Sequence, residues 1–332
     1  MPNVSLTDNF GRPITYLRLA VTDRCNLRCF YCMPEEGIKF LPKKELLSYE
    51  EMERLVRVTC EMGIKKVRIT GGEPFARKDM IFFLERLRKI PTLEELHITT
   101  NGVLTKAYID KLKEINISSV NLSLDTLNQE RFLKITRRDQ LPSVLATFNE
   151  LLKANIPVKI NMVVMDGKNT EDIIPMAEFG KDKPISIRYI EEMPFNGSGS
   201  FKTQLLWDHT AILNQLKVAY PGIVKTQDPN HSTAYHYQIP GFKGNIGIIA
   251  AYTRTFCGSC NRIRVTSLGT LKTCLYDHGA LDIKSLMRNG ASDRQLSLAI
   301  ASAIGKRHKN GWQAEASRDQ GQHHESMSTI GG

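Results

Sequence analysis

The chain has 332 residues, 41% hydrophobic and 24% charged. That balance supplies enough apolar surface for a core and excludes a wholly disordered chain. Its longest apolar run, residues 246–252, is far short of the roughly 20 residues that cross a bilayer, and a net charge of +10 favours an anionic ligand or partner as readily as an ordinary solvated surface.

The N-terminus shows no basic region followed by an apolar one, so a cytoplasmic protein is expected. Strands are predicted at 16–21, 66–70, 96–100, 120–124, 158–164 and 185–190, with amphipathic helical stretches between them. The helices begin near Ser48, Lys78, Thr105, Asn128, Leu141 and Thr170, and Ser48 with Glu51 reads as a capping box. Alternating strands and helices indicate parallel β/α units with right-handed crossovers. Six units close, or nearly close, into a partial (β/α)6 barrel of the TIM type; a doubly wound open sheet is the alternative. Residues 193–244 read as irregular, with 196–200 a loop, and the polar stretch after Lys306 reads as a mostly irregular tail.

The strands hold an anomaly. Strands of a parallel sheet are covered on both faces and read as continuous apolar runs. Here Arg18, Arg68, Lys159 and Arg188 each sit between apolar neighbours, and Asn121, Ser123 and Asp125 share one face of the fourth strand. Each basic residue alone fits snorkelling or a local ion pair. Together they suggest a polar lumen holding an anionic ligand, because unpaired buried charge is costly.

Seven cysteines without a secretory signal argue against a disulfide framework. Cys25, Cys29 and Cys32 form a C-x3-C-x2-C group directly after the first strand. Three thiolates so close converge on a soft centre. A zinc knuckle borrowing a ligand is one reading; a cubane iron–sulfur cluster with one iron left open is another. Cys257 and Cys260, with Cys274 downstream, repeat the choice. Cys60, inside the first helix, reads as a buried structural cysteine, with a fourth ligand as the alternative. Arg262 and Arg264 alternate on an extended segment, so their guanidinium forks point the same way and suit phosphate oxygens; a basic edge strand is the plainer reading.

The cysteine triplet, with Tyr31 before its last member and Gly71-Gly72-Glu73-Pro74 after the next strand, resembles the radical S-adenosylmethionine (SAM) superfamily. There the Gly-Gly-Glu-Pro segment receives the SAM amino group through backbone carbonyls and the acid. The cassette Phe256-Cys257-x-x-Cys260-Asn261-Arg262-x-Arg264, with Cys274-Leu275 and the terminal Gly331-Gly332, resembles more narrowly the GTP 3′,8-cyclase family of molybdenum cofactor biosynthesis. That resemblance runs from Leu6-Thr-Asp to Ile330-Gly-Gly, through Tyr16-Leu-Arg-Leu, Thr99-Thr-Asn-Gly, Asn121-Leu-Ser-Leu-Asp and Val158-Lys-Ile-Asn.

The resemblance implies a radical SAM barrel over residues 1–240 and an auxiliary-cluster region with a Gly-Gly tail over 241–332. It implies a lyase that abstracts the ribose 3′ hydrogen of GTP with a 5′-deoxyadenosyl radical and forms (8S)-3′,8-cyclo-7,8-dihydroguanosine 5′-triphosphate. Cys25, Cys29 and Cys32 would hold one [4Fe-4S] cluster and Cys257, Cys260 and Cys274 a second, whose open iron engages the guanine ring. Tyr31, Gly72, Ser123 and Met193 fall at SAM-contacting positions. Arg18, Arg68, Thr99, Lys159, Arg262, Ile263 and Arg264 fall at GTP-contacting positions. Arg18, Gly331 and Gly332 are the catalytic candidates, the glycine tail reaching back to the site. The same resemblance implies a homodimer, a low-potential electron donor and a downstream pyranopterin monophosphate synthase, with no nucleic acid or membrane partner. Two competing readings are a peptide-modifying radical enzyme, which predicts no GTP binding, and a zinc-stabilised nucleic-acid-binding module, which predicts strongly salt-dependent binding.

Overall fold

Alternation of polar and apolar residues along nearly every central strand dictates how this sheet is dressed. In the computed structural model, which describes residues 6–195, 205–318 and 325–331, strands β1 (Tyr16–Ala20), β2 (Lys66–Thr70), β3 (Glu95–Thr100), β4 (Ser119–Ser123), β5 (Val158–Val164) and β6 (Ser186–Glu191) lie side by side and parallel. Each matches its expected span to within a residue. Helices α1 (Tyr49–Glu61), α2 (Met80–Arg88), α3 (Ile109–Glu114), α4 (Gln129–Thr136), α5 (Leu141–Lys153) and α6 (Ile173–Phe179) form the crossovers. The Ser48–Glu51 capping box is present in both directions.

The region expected to be irregular is more ordered than that. It holds α7 (His209–Ala219), capped by the Asp208 side chain on the Ala211 N–H, and strands β7 (Val224–Lys225) and β8 (Ala234–Gln238). Beyond it come β9 (Asn245–Ile249), β10 (Arg262–Val265), β11 (Thr270–Lys272) and β12 (Leu281–Asp282). The polar tail also contains short helices, Gly311–Ala316 and Met327–Ile330. The expected 196–200 loop lies outside the described residues.

Among the described residues the sheet has twelve strands in the order β12-β11-β10-β1-β2-β3-β4-β5-β6-β9-β8-β7 and is not closed by hydrogen bonds. β10 adds parallel to β1 and β9 parallel to β6, so β10 sits inside the sheet and is not the edge strand its basic residues allowed. Leu17, Leu19, Val67, Ile69, Leu96, Ile98, Ile160 and Ile263 are completely buried on the outer face, where the helices pack. The inner face is polar, and residues from β1 to β6, β9 and β10 all line one cavity of about 760 Å³. The one-face alternation thus resolves the anomaly of basic residues in parallel strands: the sheet curls around a cavity and leaves only its convex face apolar. No helix among the described residues is long and apolar enough to cross a membrane.

Candidate active site

Strand direction sets the two ends of the cavity. The first cysteine group follows β1, at the C-terminal ends of the parallel strands. Cys257 and Cys260 precede β10, where Arg262 pairs with Tyr16 at the start of β1. Cys274 follows the antiparallel β11, whose Lys272 pairs with Arg264. The second group therefore gathers at the opposite end. All six cysteines line the cavity, and Cys60 does not; it is buried in α1, 3% exposed. The five-residue β1 between the two ends spans roughly 16 Å at about 3.3 Å per residue.

The first cysteine loop is held by its neighbours. Arg28 N–H donates to the Thr136 carbonyl (2.9 Å) and Phe30 N–H to that of Ile135 (3.1 Å), at the end of α4. Asn101 Nδ2 donates to Asn26 Oδ1 at 2.8 Å. Burial pushes the Cys25 thiol up to about 11 and the Cys32 thiol up to about 12, and Cys29 is also raised, by burial first and then by Asp125 and its sister thiols. These thiols stay protonated until a metal displaces the proton. Cys260 differs. Burial pushes it up, but Arg262 and Arg307 outweigh burial and bring it down to about 6.

No three His, Cys, Asp or Glu side chains among the described residues converge on a point that would hold one metal ion. A cubane takes one thiolate per iron, so its ligands stand around a cluster and not around a point. Three thiols facing one cavity fit that requirement at each end, from a single loop at the first and from two segments, before β10 and after β11, at the second.

Gly71 and Gly72 are required by packing. A Cβ at Gly71, where φ is +136°, would lie 2.4 Å from the Thr22 carbonyl oxygen, and one at Gly72 would lie 2.2 Å from that of Arg24. The N–H groups of Gly72 and Glu73 donate to those same carbonyls, both at 2.8 Å. The acid of the segment does not face the cavity. Glu73 is fully buried and accepts from Thr100 Oγ1 (2.8 Å), Asn101 N–H (2.8 Å) and Phe75 N–H (3.2 Å), with burial pushing its carboxyl up to about 7. These contacts make Glu73 a structural clamp between β2 and the β3 loop.

Tyr31, Gly72, Ser123 and Met193 line the cavity, and Tyr31 donates to Asp125 Oδ2 at 2.8 Å. Arg18, Arg68, Thr99, Lys159, Arg262 and Arg264 line it as well. Ile263 is the exception: its side chain is completely buried in the outer core, leaving only its backbone toward the cavity side of β10. Arg18 and Arg68 are register partners, as are Arg18 and Arg264. Burial and mutual repulsion push Arg18 far below its usual range, Arg264 down to about 10 and Lys159 down to about 8. Arg18 Nε, Thr99 Oγ1, Asn121 Oδ1, Asn161 Oδ1, Arg188 Nε and Arg262 Nη2 are buried and have no hydrogen-bond partner among the described residues. Such a set of orphaned polar atoms around a cationic cavity is complementary to a polar, anionic ligand.

Several residues were not picked out from the sequence as site members. Arg188, flagged as an anomaly, lines the cavity beside Asn161. Tyr16 stands among the cations. Arg307 donates to Cys260 Sγ (2.9 Å) and to the Cys260 carbonyl (2.8 Å), while Arg12 donates to the Cys257 carbonyl (2.8 Å) and pairs with Asp8 (2.6 Å). At the tail, Ser326 Oγ donates to the Cys32 carbonyl (2.7 Å) and Arg264 Nη1 to the Gly331 carbonyl (2.6 Å). Gly331 has φ +80°, and a Cβ there would lie 2.7 Å from Thr70 Cγ2. Gly332 lies outside the described residues.

Residues 19–180 match the family model of the radical SAM superfamily, and residues 185–312 match that of Molybdenum Cofactor Synthesis C. The chain is 37% identical over 329 residues to a GTP 3′,8-cyclase of Pelotomaculum thermopropionicum, covering 98% of this chain and 100% of that one. It is 38% identical over 308 residues to molybdenum cofactor biosynthesis protein 1 of Drosophila melanogaster, covering 92% of this chain and 54% of that protein. The chain thus spans about half the length of the animal relatives it matches. In fold it resembles Streptococcus suis SuiB, solved with bound S-adenosylmethionine, with a TM-score of 0.61 at 16% identity over 87% of this chain and 68% of that one.

Proposed function

The chain belongs to the GTP 3′,8-cyclase family within the radical SAM superfamily, and from that premise we propose that it converts GTP to (8S)-3′,8-cyclo-7,8-dihydroguanosine 5′-triphosphate, the first step of molybdenum cofactor biosynthesis. One observation carries the reading: two cysteine triplets line opposite ends of a single cavity whose wall between them is a row of cations, Arg68 buried and the others half-buried.

Residues 1–240 supply the barrel and its SAM end, and residues 241–332 the second-cluster end and the tail. Cys25, Cys29 and Cys32 would hold the [4Fe-4S] cluster of the superfamily, with SAM against Tyr31, Gly72, Ser123 and Met193. Cys257, Cys260 and Cys274 would hold a second. When bound and reduced by a low-potential donor, the cluster would supply the electron that cleaves SAM, and the chemistry thereby supplied would be removal of a hydrogen atom from C3′ of the ribose.

The chain's own residues bind, orient and exclude. Arg18, Arg68, Lys159, Arg262 and Arg264 neutralise the triphosphate through charge-assisted hydrogen bonds. Thr99 offers an unpartnered hydroxyl to the same ligand. Arg264, fixed on the Gly331 carbonyl, ties the tail at Gly331 to the substrate side, where Arg18 faces it from β1. The tail and the Cys274 segment share a small core of Phe195, Tyr276, Ala314 and Ile330, which keeps water from that side of the cavity. A homodimer and handover of product to a pyranopterin monophosphate synthase complete the proposal, in the cytoplasm.

The test is chemical analysis of anaerobically purified protein. We expect about eight irons with matching sulfide, from two cubanes, and 5′-deoxyadenosine formation that depends on GTP. Zinc without sulfide, or SAM cleavage indifferent to GTP, would contradict the reading.

A further inference from the structure

Tyr16 has no role in the account above, yet it occupies the centre of the cation row. It opens β1, with Arg262 as its register partner on one side and Lys66 on the other. Its hydroxyl accepts from Arg68 Nε at 2.5 Å, and the Lys66 ammonium lies 5.5 Å from its ring centroid. Among the described residues, the Arg68 guanidinium has one further hydrogen bond, from Nη1 to the Ile98 carbonyl at 3.4 Å. Tyr16 therefore fixes the plane of a guanidinium that lines the cavity.

The groups facing the phenol are nearly all cationic. Arg18 shares its strand; Lys66 and Arg68 come from β2, Arg262 and Arg264 from β10, Lys159 from β5 and Arg188 from β6. The carboxylate nearest in register, Glu95 on β3, is already engaged by Lys66 (2.8 Å) and His97 (2.7 Å). We propose that Tyr16 is the resident counter-anion of the cation row, a positioning residue that holds Arg68 for the substrate and takes up one proton when a triphosphate replaces it as the partner of those cations. The inference rests on the row being the triphosphate site.

The electrostatics agree. Burial pushes the phenol up, but Arg68, Arg18 and Lys66 outweigh burial and bring it down to about 7. Above that pH the phenol is an anion that neutralises one cation. A bound triphosphate makes a second anion there unfavourable, so the phenolate takes a proton from solvent and no other group changes covalently. Binding above about pH 7 is thereby linked to proton uptake, and binding near pH 6 is not.

Inorganic tripolyphosphate is the probe, added to the cluster-loaded protein and to its Tyr16→Phe variant in weakly buffered solution. At about pH 8 the wild type is expected to take up close to one proton more than the variant and to lose tyrosinate ultraviolet absorbance, and at about pH 6 neither difference is expected. The ratio of wild-type to variant affinity is expected to fall by up to about tenfold per pH unit above 7; the probe's own titration cancels in that ratio. Should the variant fold poorly, the absorbance change of the wild type alone decides. Binding with equal proton uptake, or with no tyrosinate loss, overturns this inference and leaves the cation row as the phosphate site. No binding to either protein overturns both.

Discussion

Arg188 is half-buried on β6 and lines the cavity. Its Nε is buried without a hydrogen bond, and burial with repulsion from Arg68 pushes it down to about 10. Gly247 is its neighbour in register, and a Cβ there would sit 3.3 Å from Arg188 Cγ, so the missing side chain leaves the arginine room. An uncompensated guanidinium destabilises the unliganded fold, and an anion removes that penalty. Arg188→Ala is therefore expected to weaken GTP binding by about 10- to 100-fold, the equivalent of one charge-assisted hydrogen bond of roughly 1.5–3 kcal/mol. Thermal stability of the unliganded protein should stay level or rise. Titration with GTP and a melting curve check both, and unchanged affinity would remove Arg188 from the site. The sequence marked this residue as a charge among apolar neighbours. Tyr16 carried no such mark, because an aromatic residue in a strand reads as core.

At the scale of elements, the two cysteine loops are built differently. The first is hung on α4 and β3 by backbone and amide contacts. The second is clamped by guanidinium groups from distant segments: Arg12, itself paired with Asp8, and Arg307, which reaches both Cys260 and the Arg262 carbonyl at 3.1 Å. Arg307→Ala should therefore damage one loop and spare the other. Iron is expected to fall from about eight to about four per chain, with the first cluster retained; full iron content in the variant would contradict the clamp. None of this was visible in the sequence, since Arg307 stands in a polar stretch with no periodic pattern around it. The same physics separates the elements that were legible from those that were not. β1 to β6 bury a continuous apolar face, and their spans were read to within a residue. In α7 only Ile212 and Leu216 are buried, and β8 is mostly half-buried, so both carried too weak an apolar signal, although Asp208 offered an N-cap.

The whole molecule places chemistry at two ends of one curved sheet. The six-unit barrel was legible because its alternation is local. Its completion was not, because β10 joins β1 across more than 240 residues, and nothing local announces such a pairing. The cation row was readable from the sequence because four separate strands carried the same one-face anomaly, and the structure adds Tyr16 to it. The central claim is that a nucleotide spans the cavity, with its triphosphate on that row and its ribose toward the first cysteine group. The most direct measurement supplies GTP deuterated at C3′ to the reduced, cluster-loaded protein with SAM and analyses 5′-deoxyadenosine by mass spectrometry. The account predicts deuterium in the 5′-deoxyadenosine, matched by formation of the cyclised triphosphate. 5′-Deoxyadenosine formed in the presence of that GTP but free of deuterium would contradict it.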